Sequence, residues 1–81
     1  MLPQIETSQQ LGDAVRRTRK SLTLTQTQLA LVAGVGVRFV VELEAGKPTV
    51  RLENVLRVLH ALGIFVRLDG VAGAEPVGLQ P

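Results

Sequence analysis

The 81-residue chain contains no cysteine, no tryptophan and no tyrosine, and it has only one histidine and two phenylalanines. Without cysteine there is no disulfide framework, no thiolate metal site and no cysteine nucleophile. A lone imidazole does not make a zinc site or a histidine-based catalytic pair. Aromatic residues are 2% of the chain against 46% hydrophobic residues, so a core must be built from Leu, Val, Ala and Ile. Charge of one sign is also scarce: nine Lys and Arg against seven Asp and Glu leave a net +2. This is no polybasic nucleic-acid coat, and any DNA binding must rest on where the charges sit. Glycines interrupt the apolar runs far short of a membrane span, and MLPQIETSQQ lacks the basic-then-apolar layout of a signal peptide. The chain offers no paired-carboxylate cleft and no nucleophile beside a base. Gly34-Val35-Gly36 lies between two helical patterns instead of after a strand, so it is no phosphate cradle. We expect a soluble cytoplasmic protein that does not engage membranes, is not an enzyme, and uses no cofactor or metal.

The length fits one small domain, and the Leu- and Ala-rich composition favours helices. Residues 1–7 read as an arm, extended around Pro3. Thr7 or Ser8 can cap a first helix over about 8–21. In it Leu11, Ala14, Val15, Thr18 and Leu22 share one face at three- and four-residue spacing. Arg16, Arg17 and Lys20 occupy the opposite face, either solvated or reaching phosphates. Thr25 caps a second helix, with Gln28 placed to complete a capping box. A fourth helix over about 52–62 carries Leu52, Val55, Leu56, Leu59 and Leu62 as its core face. Val58 and Ala61 widen that stripe beyond what one small core needs. Gly63 ends it.

In Ile64-Phe65-Val66-Arg67-Leu68-Asp69, residues Ile64, Val66 and Leu68 alternate with Phe65, Arg67 and Asp69, which is strand periodicity. A lone strand in a helical domain leaves its backbone groups unpaired and is marginal in water. Pairing with the same strand of a second copy removes that cost, so residues 64–69 are expected to join a two-fold homodimer. Residues 70–81, rich in Gly, Ala and Pro, read as a flexible tail.

The segment Thr25 to Gly46, TQTQLALVAGVGVRFVVELEAG, lays out two short helices joined by a tight turn. Ala30 is small where the helices must cross, and Gly34 permits the positive φ of the turn. Val35, Val40 and Leu43 supply the shared apolar face, and the second helix runs from about Gly36 to Ala45. This is the helix-turn-helix layout, whose second helix enters the DNA major groove. With Leu11-Gly12, Arg19, Leu24-Thr25-Gln26, Leu29-Ala30, Gly34-Val35, Glu44, Gly46, Pro48 and Leu62-Gly63, the chain resembles the Cro and phage-repressor type of helix-turn-helix domain in the Xre superfamily. The resemblance covers about residues 11–63. Within that superfamily it looks most like the HipB-like antitoxins, on the run Gly46 to Val50 and the strand after Leu62-Gly63. The resemblance implies a mainly α fold: a lambda-repressor-like bundle of four to five helices over residues 8–63, plus one C-terminal strand that pairs across a homodimer.

It also implies roles for single residues. Gln26, in the first turn of helix two, matches a backbone clamp, and a helix N-terminus suits a phosphate there. Gly36, Val37, Arg38 and Glu42 match the start of the DNA-reading helix. Arg38 can take both acceptors of a guanine edge or contact a phosphate without reading sequence. Val37 can only pack on a thymine methyl. Glu42 either accepts from cytosine N4 or pairs with Arg38 at four-residue spacing. Lys47 and Arg51 match sugar-phosphate contacts. Arg19 and Glu44 match a partly buried salt bridge between helices one and three. Phe39 is expected in core or arm packing, and His60 on an exposed helix face or at the dimer rim. The dimerisation residues are Ile64, Phe65, Val66, Arg67 and Leu68.

The implied function is a sequence-specific repressor that binds palindromic operator DNA as a homodimer. By the narrower resemblance it is the antitoxin of a HipBA-like operon, repressing its own genes and neutralising a HipA-like kinase toxin. Two alternatives stay open: a protein-interaction module that has lost specific DNA binding, and a stand-alone phage-type regulator.

Overall fold

The computed structural model describes residues 4–70, and in it two threonines set where the first two helices begin. Thr7 caps α1 (Ser8–Ser21): its Oγ1 accepts from the Gln10 backbone N–H at 3.1 Å, while Gln10 Oε1 accepts from the Thr7 N–H at 3.2 Å. Thr25 and Gln28 repeat this reciprocal box at the start of α2 (Gln26–Ala33), at 3.0 and 2.8 Å. Each box satisfies two backbone donors that a helix start leaves orphaned. A three-residue turn leads to α3 (Val37–Glu44), and a loop then leads to α4 (Leu52–Ala61).

All four helices stop in the same way. The chain turns into a left-handed residue, and the next N–H folds back five residues: Leu24 to the Arg19 carbonyl, Val35 to Ala30, Lys47 to Glu42 and Ile64 to Leu59, at 2.8–3.1 Å. This closure occupies helix-end carbonyls that otherwise lack partners. Three of the left-handed residues are Gly34, Gly46 and Gly63; the fourth is Thr23, at φ 57°. A β-branched residue there carries backbone strain that glycine would not.

The core is aliphatic, as the shortage of aromatics requires. Val15, Leu29, Ala30, Val40, Leu43, Val55, Val58, Leu59 and Leu62 are buried. Leu11, Leu24, Ala33, Val35, Phe39, Val50, Ala61 and Ile64 pack around them. Helix α3 packs against α1 and α2, and α4 against α2. Gly12, Val15 and Arg19 form the buried stripe of α1. Gly12 lets α1 approach the end of α3 closely: a Cβ on it would lie 2.5 Å from the Leu43 carbonyl oxygen and 2.8 Å from that of Glu44.

Several expectations change. Leu52 was placed in the core, but it is 69% exposed, because it opens α4 at the far end of the apolar stripe. Leu22 is also exposed, since it is the C-cap of α1 and leaves the helical phase. Val58, read as surplus to the core, is fully buried at its centre. Residues 64–69 form no strand within the single chain; among the described residues every regular element is a helix. Among the described residues, no segment pairs with them. Residues 1–3 of the expected arm and 71–81 of the expected tail lie outside the described residues. Among the described residues, no single helix is long and apolar enough to cross a membrane.

The Gly12 contact yields a direct test. Gly12→Ala places a methyl against two backbone carbonyls that cannot swing aside, and overpacking of this kind costs about 1–3 kcal/mol. Thermal melting should show a lower midpoint for the variant, and an unchanged midpoint would contradict the close crossing.

Candidate nucleic-acid interface

The site rests on a buried ion pair. Arg19, at the last turn of α1, and Glu44, at the last turn of α3, are both buried. Arg19 donates from Nε to Glu44 Oε2 at 2.7 Å and from Nη2 to Glu44 Oε1 at 2.9 Å, a two-pronged fit of a planar guanidinium on a carboxylate. Its remaining nitrogen, Nη1, donates to the Leu24 carbonyl at 2.8 Å. The bond from Glu44 raises the Arg19 pKa above its ordinary value, partly opposed by burial. Among the described residues, no buried side-chain nitrogen or oxygen lacks a partner.

Gln26 extends this pair toward the surface. It is the first residue of α2 and half-buried, and its Nε2 donates to Glu44 Oε1 at 3.2 Å. The expected backbone clamp is thus held by the same carboxylate that holds Arg19. Arg16, Arg19, Gln26, Val41, Glu44 and Ala45 together line a shallow groove where α1, α2 and α3 meet. Sequence reading did not single out Val41 or Ala45. The available signal was that Val41 lies one helical turn beyond Val37.

Helices α2 and α3 cross at 115°, with Gly34 at φ 74° in the turn between them. Gly36 caps α3 in an extended conformation and supplies no side-chain bond to the helix start. Buried Val40, Leu43 and Glu44 fix the rotation of α3 about its axis. The opposite face therefore points outward: Val37 and Val41 are each 44% exposed, and the Arg38 side chain is 90% exposed. Phe39 sits between the faces and packs on the core.

Glu42 lies among cations. Its Oε2 is 3.2 Å from Lys47 Nζ and 3.5 Å from Arg38 Nε. The Lys47 hydrogen bond, with smaller help from the two positive charges, holds its carboxyl below the usual carboxylate range. The structure thus shows the Arg38–Glu42 pairing that four-residue spacing allowed, and adds Lys47. Arg51 is exposed at the N-cap of α4, away from this cluster in sequence but on the loop that leaves it. His60 is exposed, with its ring 6.4 Å from that of Phe65. Ile64 is half-buried, whereas Phe65, Val66, Arg67 and Leu68 are exposed. Arg67 and Asp69 lie 3.5 Å apart.

Two helices crossing at 115° over a glycine turn, the second presenting Val37, Arg38, Val41 and Glu42 outward, define a helix-turn-helix domain. A family model described as HTH_3, helix-turn-helix, matches residues 15–64, and the chain belongs to that family. Over 66 residues it is 52% identical to the uncharacterized HTH-type transcriptional regulator y4mF of Sinorhizobium fredii, an alignment covering 82% of this chain and 87% of y4mF. Among solved structures it is similar in fold to a chain of a HipA–HipB–O2–O3 complex. The TM-score is 0.79 at 21% identity, over 86% of this chain and 99% of that one. It is also similar to the clp gene regulator ClgR from C. glutamicum, with a TM-score of 0.66 at 33% identity over 82% and 85% of the two chains.

The ion pair sets a stability prediction. Replacing Arg19 with Leu leaves the Glu44 carboxylate buried without its partner, a loss of roughly 3–5 kcal/mol. For a domain of ordinary marginal stability this removes most of the margin. Calorimetry on Arg19→Leu should show a lost or strongly lowered cooperative transition; an unshifted transition would assign the pair no structural weight.

Proposed function

We propose that this chain is a sequence-specific DNA-binding repressor that works as a homodimer on a palindromic operator. The observation that carries the reading is the outward face of α3, set by its buried residues and carrying the cation cluster of Arg38 and Lys47, with Arg51 exposed on the loop beyond. Arg38 reads a base edge, Val37 packs on a thymine methyl, and the start of α3 at Gly36 approaches the groove. Gln26, Lys47 and Arg51 contact phosphates. Two such helices related by a two-fold axis would lie about 34 Å apart, one turn of DNA.

The two-fold is supplied by residues 64–68. The Ile64 N–H is bound to the Leu59 carbonyl and its side chain packs on the core, which anchors the start of the segment. Beyond it Phe65, Val66 and Leu68 are 80%, 56% and 86% exposed, apolar side chains that the described residues leave uncovered. Pairing with the same segment of a second copy satisfies its backbone and covers these side chains.

The finer reading is the antitoxin of a HipBA-like operon, with a HipA-like kinase toxin as second partner. It is supported by the fold likeness to a chain of the HipA–HipB–O2–O3 complex, which spans nearly all of that chain. A stand-alone regulator is the second reading, favoured by the 33% identity to the clp gene regulator ClgR. Co-purification of the chain with the product of an adjacent kinase-like gene separates the two; a toxin that ignores the protein leaves the stand-alone reading.

Anisotropy titration against DNA from the protein's own upstream region tests the core of the proposal. Affinity should fall steeply with salt as counterions are released, and Arg38→Ala should cost ~1–3 kcal/mol on that DNA alone. Binding indifferent to both salt and Arg38 would favour a protein-interaction module.

For the dimer, Val66→Pro removes a backbone donor from the pairing segment. Light scattering should report a shift from dimer to monomer, and an unchanged mass would take the segment out of the interface.

A further inference from the structure

Glu42 is an acid on the face that meets a polyanion, at a helix position where a neutral or basic side chain would bind DNA more tightly. Its setting is built, not incidental. The helix-end closure from the Lys47 N–H to the Glu42 carbonyl, at 3.1 Å, folds the loop back and sets Lys47 beside Glu42. The Lys47 ammonium then reaches the Glu42 carboxylate at 3.2 Å. Arg38, one turn earlier on α3, reaches the same oxygen at 3.5 Å. One carboxylate oxygen therefore serves two cations, and both are the ones the DNA-binding reading places on the duplex.

We propose that Glu42 is a specificity-determining residue that occupies Arg38 and Lys47 in the free protein and so suppresses binding to non-cognate DNA. The inference rests on the DNA-binding reading above. Exposed pairs of this kind are weak and readily exchanged. A guanine edge, which offers Arg38 two acceptors in one plane, displaces the carboxylate. A backbone phosphate only exchanges one charged acceptor for another, so its net gain is reduced by the pair it must break. On random DNA the pairs stay closed, and the carboxylate adds its own repulsion to the backbone. The small net charge of the chain fits this economy, since its affinity then depends on a few cations whose availability the sequence of the DNA controls.

The test compares wild type with Glu42→Gln, which keeps the side-chain shape and removes the charge. Each is titrated with its own upstream duplex and with a random duplex of the same length, over a series of salt concentrations. Freeing two cations adds about two phosphate contacts, so the random-duplex salt slope should steepen by about 1.8 and affinity at 0.1 M salt should rise about sixtyfold. On the upstream duplex Arg38 is already committed to a base, so the gain should be smaller and the ratio of the two affinities should narrow. The same substitution in a Lys47→Gln background should lose much of its effect on random DNA, which a general change in surface charge would not do. Glu42→Ala repeats the comparison should Glu42→Gln melt early.

A loss of upstream binding with random binding unchanged would overturn the proposal and make Glu42 a base acceptor. Equal gains on both duplexes, or an undiminished gain in the Lys47→Gln background, would also overturn it. Failure of wild type to bind either duplex would bring down the DNA-binding reading itself, a result distinct from any outcome for Glu42.

Discussion

The placement of the outward face of α3 depends on one carboxylate. Glu44 closes α3 from the inside: its two oxygens take Arg19 from α1 and Gln26 from α2. Arg19 in turn holds the Leu24 carbonyl, which lies in the turn leading to the α2 cap. A single buried cluster therefore ties together the end of α1, the start of α2 and the end of α3. Burying charge is costly, and it is tolerated here because each guanidinium nitrogen of Arg19 and both Glu44 oxygens have a hydrogen-bond partner. Gly12 supports the same junction from another direction, by letting α1 lie against the last carbonyls of α3.

The opposite side of α3 is built on different terms. Inside, Glu44 is fixed by a planar two-point fit; outside, Glu42 holds its cations by exposed single contacts at 3.2 and 3.5 Å. Two acids two residues apart thus face different surroundings, one in a low-dielectric crevice and one in water. Burial makes the first interaction hard to exchange, and solvent makes the second easy to exchange. A helix that must be rigid in its placement and adaptable in its contacts gains both from this asymmetry.

The helices were legible from the chain because their signals are local. Threonine caps, apolar spacing and glycine stops lie within a few residues of the boundaries they set, so α1 and the box at Thr25 fell where expected. Arg19 with Glu44 was reached only through resemblance, because 25 residues separate them and no periodicity links the two. The Gln26 bond to Glu44 and the Lys47 bond to Glu42 were missed for different reasons. The first needs the crossing of α2 over α3, and the second needs the fold-back after Glu42. Leu52 misled because periodicity tells which face a residue is on, not whether the neighbouring helix extends that far. The alternation over residues 64–69 pointed to a strand, but periodicity does not supply a partner, and among the described residues the segment forms none.

The way the helices end bears on how quickly the domain assembles. Two starts and all four stops are secured by bonds spanning three to five residues, and the main helix packings, α1 on α3, α2 on α3 and α2 on α4, join helices one or two apart in chain order. Little chain entropy is spent on closing long loops before these contacts form, and small helical domains of such topology fold in microseconds to milliseconds. Any opening of the domain should therefore be followed by rapid refolding, so that folding does not limit how soon the outward face of α3 is restored.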